Sequence, residues 1–207
     1  METILTLVQF IQEAHHFDKD ITLAINSLHS PISDSVWMVF SNKEIWYILY
    51  LAVLVMFFYR LGWKKALVAL LACVLCIVVC DQTCNLFKDS VQRLRPCLDG
   101  EMISRGLHIL ERAGARNLYG FFSAHAANAM GFAACSLMCF RMDKSRKHNT
   151  YGICIFIWAI LVGISRVFVG KHFLGDVICG FAFGLAAGLL IGYLACYLGN
   201  RFIQRES

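Results

Sequence analysis

The chain has 207 residues, of which 58% are hydrophobic and only 16% charged, with a formal net charge of +5. A disordered chain needs the opposite balance, and soluble globular domains run nearer about 45–50% apolar and about 25% charged. An integral membrane protein is the economical reading. The basic residues form no stripe interleaved with aromatics, so no nucleic-acid partner is expected.

Residues 1–44 read as an amphipathic N-terminal segment, its apolar pattern broken by His15, His16, Asp18, Lys19, Asp20 and Asp34. Ser30-Pro31 marks a turn within it, so one or two helices are expected along the membrane surface or partway into it. The opening METILTLVQF lacks a basic n-region and a small-residue cleavage site, and a cleaved signal peptide is not expected. Five spans follow at about 45–61, 66–87, 118–140, 151–169 and 176–199, each able to cross a hydrocarbon core of about 30 Å. The expected class is thus an all-α integral membrane protein. It forms one domain, with a helical bundle over 45–199 and a cytoplasmic tail over 200–207.

Nine of the ten cysteines sit inside apolar runs. Cys73, Cys76, Cys80 and Cys84 line one side of a helix, but four ligands from one straight helix cannot wrap a tetrahedral zinc ion. They read as packing residues. Gly180, Gly184, Gly188 and Gly192 recur every fourth residue in the last span, a spacing that lets helices approach closely. Packing inside the bundle is the simpler use of that stripe, ahead of a dimer face. The oligomeric state stays open.

The connecting segments sort by charge. Arg60, Lys64 and Lys65, then Arg141, Lys144, Arg146 and Lys147, then Arg201 and Arg205 form short basic stretches expected in the cytoplasm. By alternation, residues 88–117 and 170–175 fall on the other side. Those two segments and the adjoining span ends carry the chemistry.

Three clusters stand there: Lys88 with Arg95-Pro96, then Phe122-Ser123-Ala124-His125, then Ser165-Arg166 with His172 and Asp176. If the second span continues as helix, Lys88 and Arg95 share a face two turns apart and Pro96 stops the helix. A cation at a span end often only snorkels to the interface. Ionisable groups in a membrane are costly, however, and a set gathered on one face is hard to explain by packing. Lys88, Arg95 and Arg166 supply three cations, two of them with planar forks suited to phosphate. His172 and Asp176 are four residues apart, so the carboxylate can orient the imidazole. His172 is then the expected nucleophile on phosphorus, and His125 the general acid and base. Ser123 and the main chain at Ala124 and His125 are expected to hold phosphoryl oxygens. No metal or other cofactor is called for, because protein cations neutralise the charge. Asp81, inside the second span, reads as a hydrogen-bonded group of the bundle.

The order K-x6-R-P, x-S-x-H, S-R-x5-H-x3-D resembles the type 2 phosphatidic acid phosphatase (PAP2) superfamily over at least residues 80–190. The first and third motifs match fully. The second has Phe122-Ser123-Ala124-His125 where the family usually has Pro-Ser-Gly-His, which alters the pocket wall and leaves the chemistry intact. The resemblance implies a bundle of six helices, with residues 20–42 as the shorter sixth element. It also implies a metal-independent phosphatase working through a phosphohistidine on a membrane lipid phosphate, at the outer face of a bacterial inner membrane. Tyr119–Asn128 is similar to small bacterial members, which favours lipid A phosphate as substrate. Undecaprenyl diphosphate, phosphatidylglycerophosphate and phosphatidate are the alternatives. Lipid-to-lipid phosphotransfer and non-catalytic phosphate binding are further readings. Arg105, His108, Arg112 and Arg116 would grip a head group, or simply form a solvated basic loop.

Overall fold

A computed structural model describes residues 2–114, 117–145 and 147–203. Arg116, Arg146 and Arg205 lie outside the described residues. Seven helices follow in order: α1 (Glu2–Asn26), α2 (Pro31–Ser41), α3 (Tyr47–Val91), α4 (Gly100–Ser104), α5 (Ala124–Phe140), α6 (Asn149–Phe168) and α7 (Leu174–Ile203). A single 3-10 turn at Pro96–Leu98 precedes α4. Among the described residues no strand forms, only one antiparallel bridge between Leu94 and Tyr119.

α3 contains two of the expected spans. Gly62 breaks its helical path at φ 73° and ψ 164°, a conformation open to glycine and strained for other residues. The two arms run in opposite senses along α5. In the first arm Tyr50 meets Phe132 and Phe57 meets Phe140, each with ring centroids 4.7 Å apart. In the second, Cys73 lies against Cys135, Cys76 and Cys80 against Gly131, and Phe87 against Phe122. Gly62 is therefore the tip of a helical hairpin. An ion pair between Arg60 and Asp143 ties that tip to the loop after α5.

α3, α6 and α7 are long and apolar enough to cross a membrane. α5 has 17 residues, about the minimum for a crossing. Its expected start at residue 118 moves to Ala124, because Ser123 is the N-cap and accepts from Ala126 N at 3.4 Å. Leu71, Leu75, Val78, Ile153, Ile157, Leu189 and Leu190 face outward and exposed. So much outward apolar surface belongs against lipid, and the protein is an all-α membrane protein.

α5 is the central helix, and the glycine stripe of α7 lies directly on it. A Cβ on Gly180, Gly184 or Gly188 would stand 2.7, 2.2 and 2.4 Å from the carbonyl oxygens of Ser123, Ala127 and Gly131. Each glycine admits one turn of the neighbouring backbone, so the stripe packs the bundle internally. The cysteines of α3 are buried and unpaired beside α5, as small packing residues.

α1 is amphipathic with its polar side inward. Phe10, Ile11 and Phe17 are exposed, while Lys19, Thr22 and Asn26 are buried. Lys19 pairs with Asp99 and Glu101 at 2.9 and 2.7 Å. Asn26 donates to the carbonyls of Val167 and Phe168 and brackets both main-chain groups of His108. Thr22 Oγ1 and Asp18 Oδ1 accept from Leu174 N and Gly175 N at 2.9 and 2.8 Å. Those first-turn N–H groups of α7 have no partner within their own helix, so α1 side chains cap it.

Candidate active site

The end of α3, the start of α5, the end of α6 and the loop before α7 converge on one cavity of about 730 Å³. Lys88, Arg95, Ala124, His125, Arg166 and His172 all line it. Six sequence-selected residues thus meet in one place.

Arg95 arrives there differently from the sequence expectation. α3 ends at Val91, where Gln92 takes a left-handed conformation at φ 52°, so Lys88 and Arg95 do not share a helix. Pairing to the segment before α5 carries Arg95 in: Gly120 N donates to Arg93 O at 2.8 Å and Arg95 N to Leu118 O at 3.1 Å. The guanidinium is clamped by Asn117, with Nε on its carbonyl at 2.8 Å and Nη2 on its carboxamide oxygen at 2.7 Å. Nη1 then reaches Nε2 of His172 at 2.9 Å.

That contact assigns the imidazole tautomer. Arginine only donates, so Nε2 is unprotonated and accepts, its lone pair held by Arg95 at the edge of the cavity. The ring proton lies on Nδ1, which stands 3.4 Å from Asp176 Oδ2. Asp176 is itself fixed by Phe173 N on Oδ2 at 3.1 Å and by Arg93 on Oδ1 at 2.8 Å. Burial, and then the charges of Arg95, Arg166, Lys88 and Lys171, push the His172 pKa well below the ordinary histidine value. His172 is therefore a neutral base at neutral pH.

A second anchor holds the cations. Arg166 donates to the hydroxyl of Ser41 and, at 3.2 Å, to its carbonyl, so the last residue of α2 steadies it. Glu111 joins Lys171, and its other oxygen stands 3.5 Å from Arg166. Burial alone would raise the Glu111 carboxyl, yet Lys171, Arg166 and Ser41 hold it below the usual carboxylate range. An anion of this chain thus already sits among the cations.

Ser123 is fully buried, caps α5, donates its N–H to Asp176 O at 3.0 Å and does not line the cavity. What faces the cavity is the first turn of α5 at Ala124 and His125, whose N–H groups an α-helix cannot satisfy internally. His125 lines the cavity with no hydrogen bond to another described residue. Arg105 pairs with Asp20 and Glu101, and His108 with Asp34. Neither borders the cavity. From that loop Glu111 and Asn117 do.

Sequence reasoning passed over Arg93, Asn117, Glu111, Lys171 and Ser41. Arg93 and Lys171 stood inside or beside the motifs and carried a detectable signal. Asn117, Glu111 and Ser41 had none, since their roles depend on loops meeting across the fold.

The PAP2 superfamily model matches residues 65–201. The lipid A 4'-phosphatase of Bacteroides thetaiotaomicron is 31% identical over 198 residues, 94% of this chain and 83% of that protein. The lipid A 4'-phosphatase of Porphyromonas gingivalis is 30% identical over 90% of this chain and 76% of its own length. In fold, the chain resembles the crystal structure of a transmembrane PAP2-type phosphatidylglycerolphosphate phosphatase from Bacillus subtilis. The TM-score is 0.66 at 20% identity, covering 94% of this chain and 88% of that one.

Proposed function

The chain belongs to the PAP2 superfamily and is a membrane lipid phosphatase; we propose that it removes phosphate from lipid A through a phosphohistidine on His172. The observation that carries the mechanism is the unprotonated Nε2 of His172, held by Arg95 at 2.9 Å beside a cavity lined by Lys88, Arg95, Arg166 and Lys171, so that a phosphate taking up the arginine frees the lone pair next to phosphorus. A phosphoryl group held by those cations lies within reach of that nitrogen. Nε2 forms a bond to phosphorus as the lipid oxygen leaves, and protonated His125 gives that oxygen its proton. His125 then takes a proton from water, which attacks phosphorus, frees inorganic phosphate and restores His172. Asp176 keeps the ring oriented and balances the charge that develops on it. Arginines, Lys88 and the α5 N-terminus carry the charge stabilisation.

The substrate assignment draws on the two relatives named lipid A 4'-phosphatases, which align along nearly the whole chain. The basic segments at the hairpin tip and after α5 are joined by Arg60 and Asp143, at the end of the bundle away from the cavity. With those segments cytoplasmic, the cavity opens at the outer face of the inner membrane.

The test is phosphate release by purified protein in detergent, with a chelator present. Lipid A, undecaprenyl diphosphate, phosphatidylglycerophosphate and phosphatidate are supplied in parallel. Lipid A should be turned over fastest, with free phosphate as product, and His172→Ala should abolish release while the protein stays monodisperse. Unchanged release by that variant would refute the nucleophile. A phosphorylated second lipid without free phosphate would make the enzyme a transferase.

A further inference from the structure

The cavity extends beyond the cation ring. Asp81 lies seven residues before Lys88 on the second arm of α3, about 10 Å deeper along the helix. Asn128 is one turn below His125, and Trp158 lies eight residues before Arg166, about 12 Å down α6. All three line the same cavity, together with Tyr50 and Trp46.

The polar atoms of this floor lack protein partners. Asn128 Oδ1 and Trp158 Nε1 are buried without a hydrogen bond. The Asp81 carboxylate and the Tyr50 hydroxyl make none with the other described residues either. A buried polar group left unpaired costs about 1–3 kcal/mol, so the two buried atoms on Asn128 and Trp158, with half-buried Asp81 and Tyr50 beside them on the same cavity, define a ligand by complementarity. An acyl chain would leave all four unmet. A group with hydroxyl or amide hydrogens satisfies Asp81 and Asn128, accepts from Trp158, and lays its apolar face on the aromatic walls.

We propose that Asp81, Asn128, Trp158 and Tyr50 form a subsite for the hydroxyl- and amide-bearing group next to the phosphate. The enzyme thereby selects an N-acylated amino-sugar phosphate over diacylglycerol or polyprenyl phosphates. The inference rests on the phosphatase reading and adds the residues that read the head group. Phosphatidate and undecaprenyl diphosphate bring no hydroxyl or amide hydrogen to the position beside their phosphates. A site built to hydrogen-bond a substrate discriminates strongly against analogues that lack the groups.

The experiment compares kcat/KM for an N-acylated glucosamine lipid phosphate and for dioleoyl phosphatidate in the same mixed micelles. Wild type should favour the amino sugar by at least about a hundredfold. Asp81→Leu and Asn128→Leu should each cut that ratio about tenfold or more, and Asp81→Asn, which keeps an acceptor, should restore part of it. The dephosphorylated amino-sugar lipid should inhibit phosphatidate hydrolysis competitively in wild type, a readout independent of whether the variants fold. A ratio unmoved in well-folded variants, or absence of that inhibition, overturns the subsite. If neither lipid is hydrolysed, the phosphatase reading fails instead. Binding of the amino-sugar lipid, read as quenching of tryptophan fluorescence, then decides the subsite alone: saturable quenching lost in Asp81→Leu supports it, and no quenching overturns it.

Discussion

Arg93 and Asp176 form an ion pair at 2.8 Å directly behind His172. The same guanidinium reaches Asp18 on α1 at 2.7 Å and lies over the Phe173 ring at 3.9 Å. Asp176 is fully buried, so Arg93 both satisfies a carboxylate that water cannot reach and fixes the angle at which it faces the imidazole.

Removing Arg93 should therefore harm turnover more than binding. Arg93→Met should lower kcat by about ten- to a hundredfold with KM little changed, as for loss of an orienting partner. It should also destabilise the protein by about 3 kcal/mol, the usual cost of stranding one half of a buried pair. Arg93→Lys should recover part of both. Steady-state kinetics and thermal melting in detergent check this, and a pure KM effect would contradict the positioning role.

The depressed pKa of His172 sets a direction for pH dependence. Protonated His172 has no lone pair to offer, and its proton binds below the ordinary histidine value. The acid limb of kcat/KM that belongs to the nucleophile should thus fall below pH 6.5. Lys171→Met removes one of the charges that depress it and should move that limb upward. Stability has the same sign. Below pH about 6.5 the unfolded chain binds a proton that the folded one refuses, so His172 lowers stability as pH falls.

Glu111 competes with phosphate for Lys171 and Arg166. Glu111→Gln should lower the Ki for inorganic phosphate by about tenfold, on the scale of one partly screened charge contact. Because Glu111 also holds Lys171 in place, kcat should fall at the same time. Product-inhibition kinetics resolve the two effects, and an unchanged Ki would show that the carboxylate does not occupy the anion position.

The contact between α5 and α7 leaves no room for a side chain at Gly180, Gly184 or Gly188. Gly184→Val would drive carbon into the Ala127 carbonyl, and overpacking of this kind costs about 1–3 kcal/mol or more. The expected result is a lower Tm and loss of activity together. Gly100→Ala, where a Cβ meets nothing within 4 Å, should leave Tm unchanged.

The bundle was readable because its spans are long and apolar, and the cluster that lines the cavity because ionisable residues are rare inside them. The breaks between elements were harder. A helix through Gln92 and a span starting at residue 118 were both expected. A left-handed residue and a serine cap moved those boundaries, and each is decided by a turn or less of local geometry. Arg93, Asp18, Glu111 and Asn117 went unread for another reason. A polar residue outside the spans has the same sequence signature whether it meets solvent or a buried partner 22 to 83 residues away. Ser123 is the opposite case, since its place in a motif gave no sign of its use as a cap.

The inward polar face of α1 also fixes an order of assembly. α1 is made before α6 and α7, and Asn26 finds its carbonyl at Val167 only 141 residues later and Asp18 its N–H at Gly175 157 residues later. Until then Lys19 can pair with Asp99 and Glu101 and Asp18 with Arg93, while Asn26 and Thr22 wait for their main-chain partners on the last two helices. The capping of α7 by α1 consequently cannot form before α7 has emerged, and the segment carrying His172 is held on both sides only once it has.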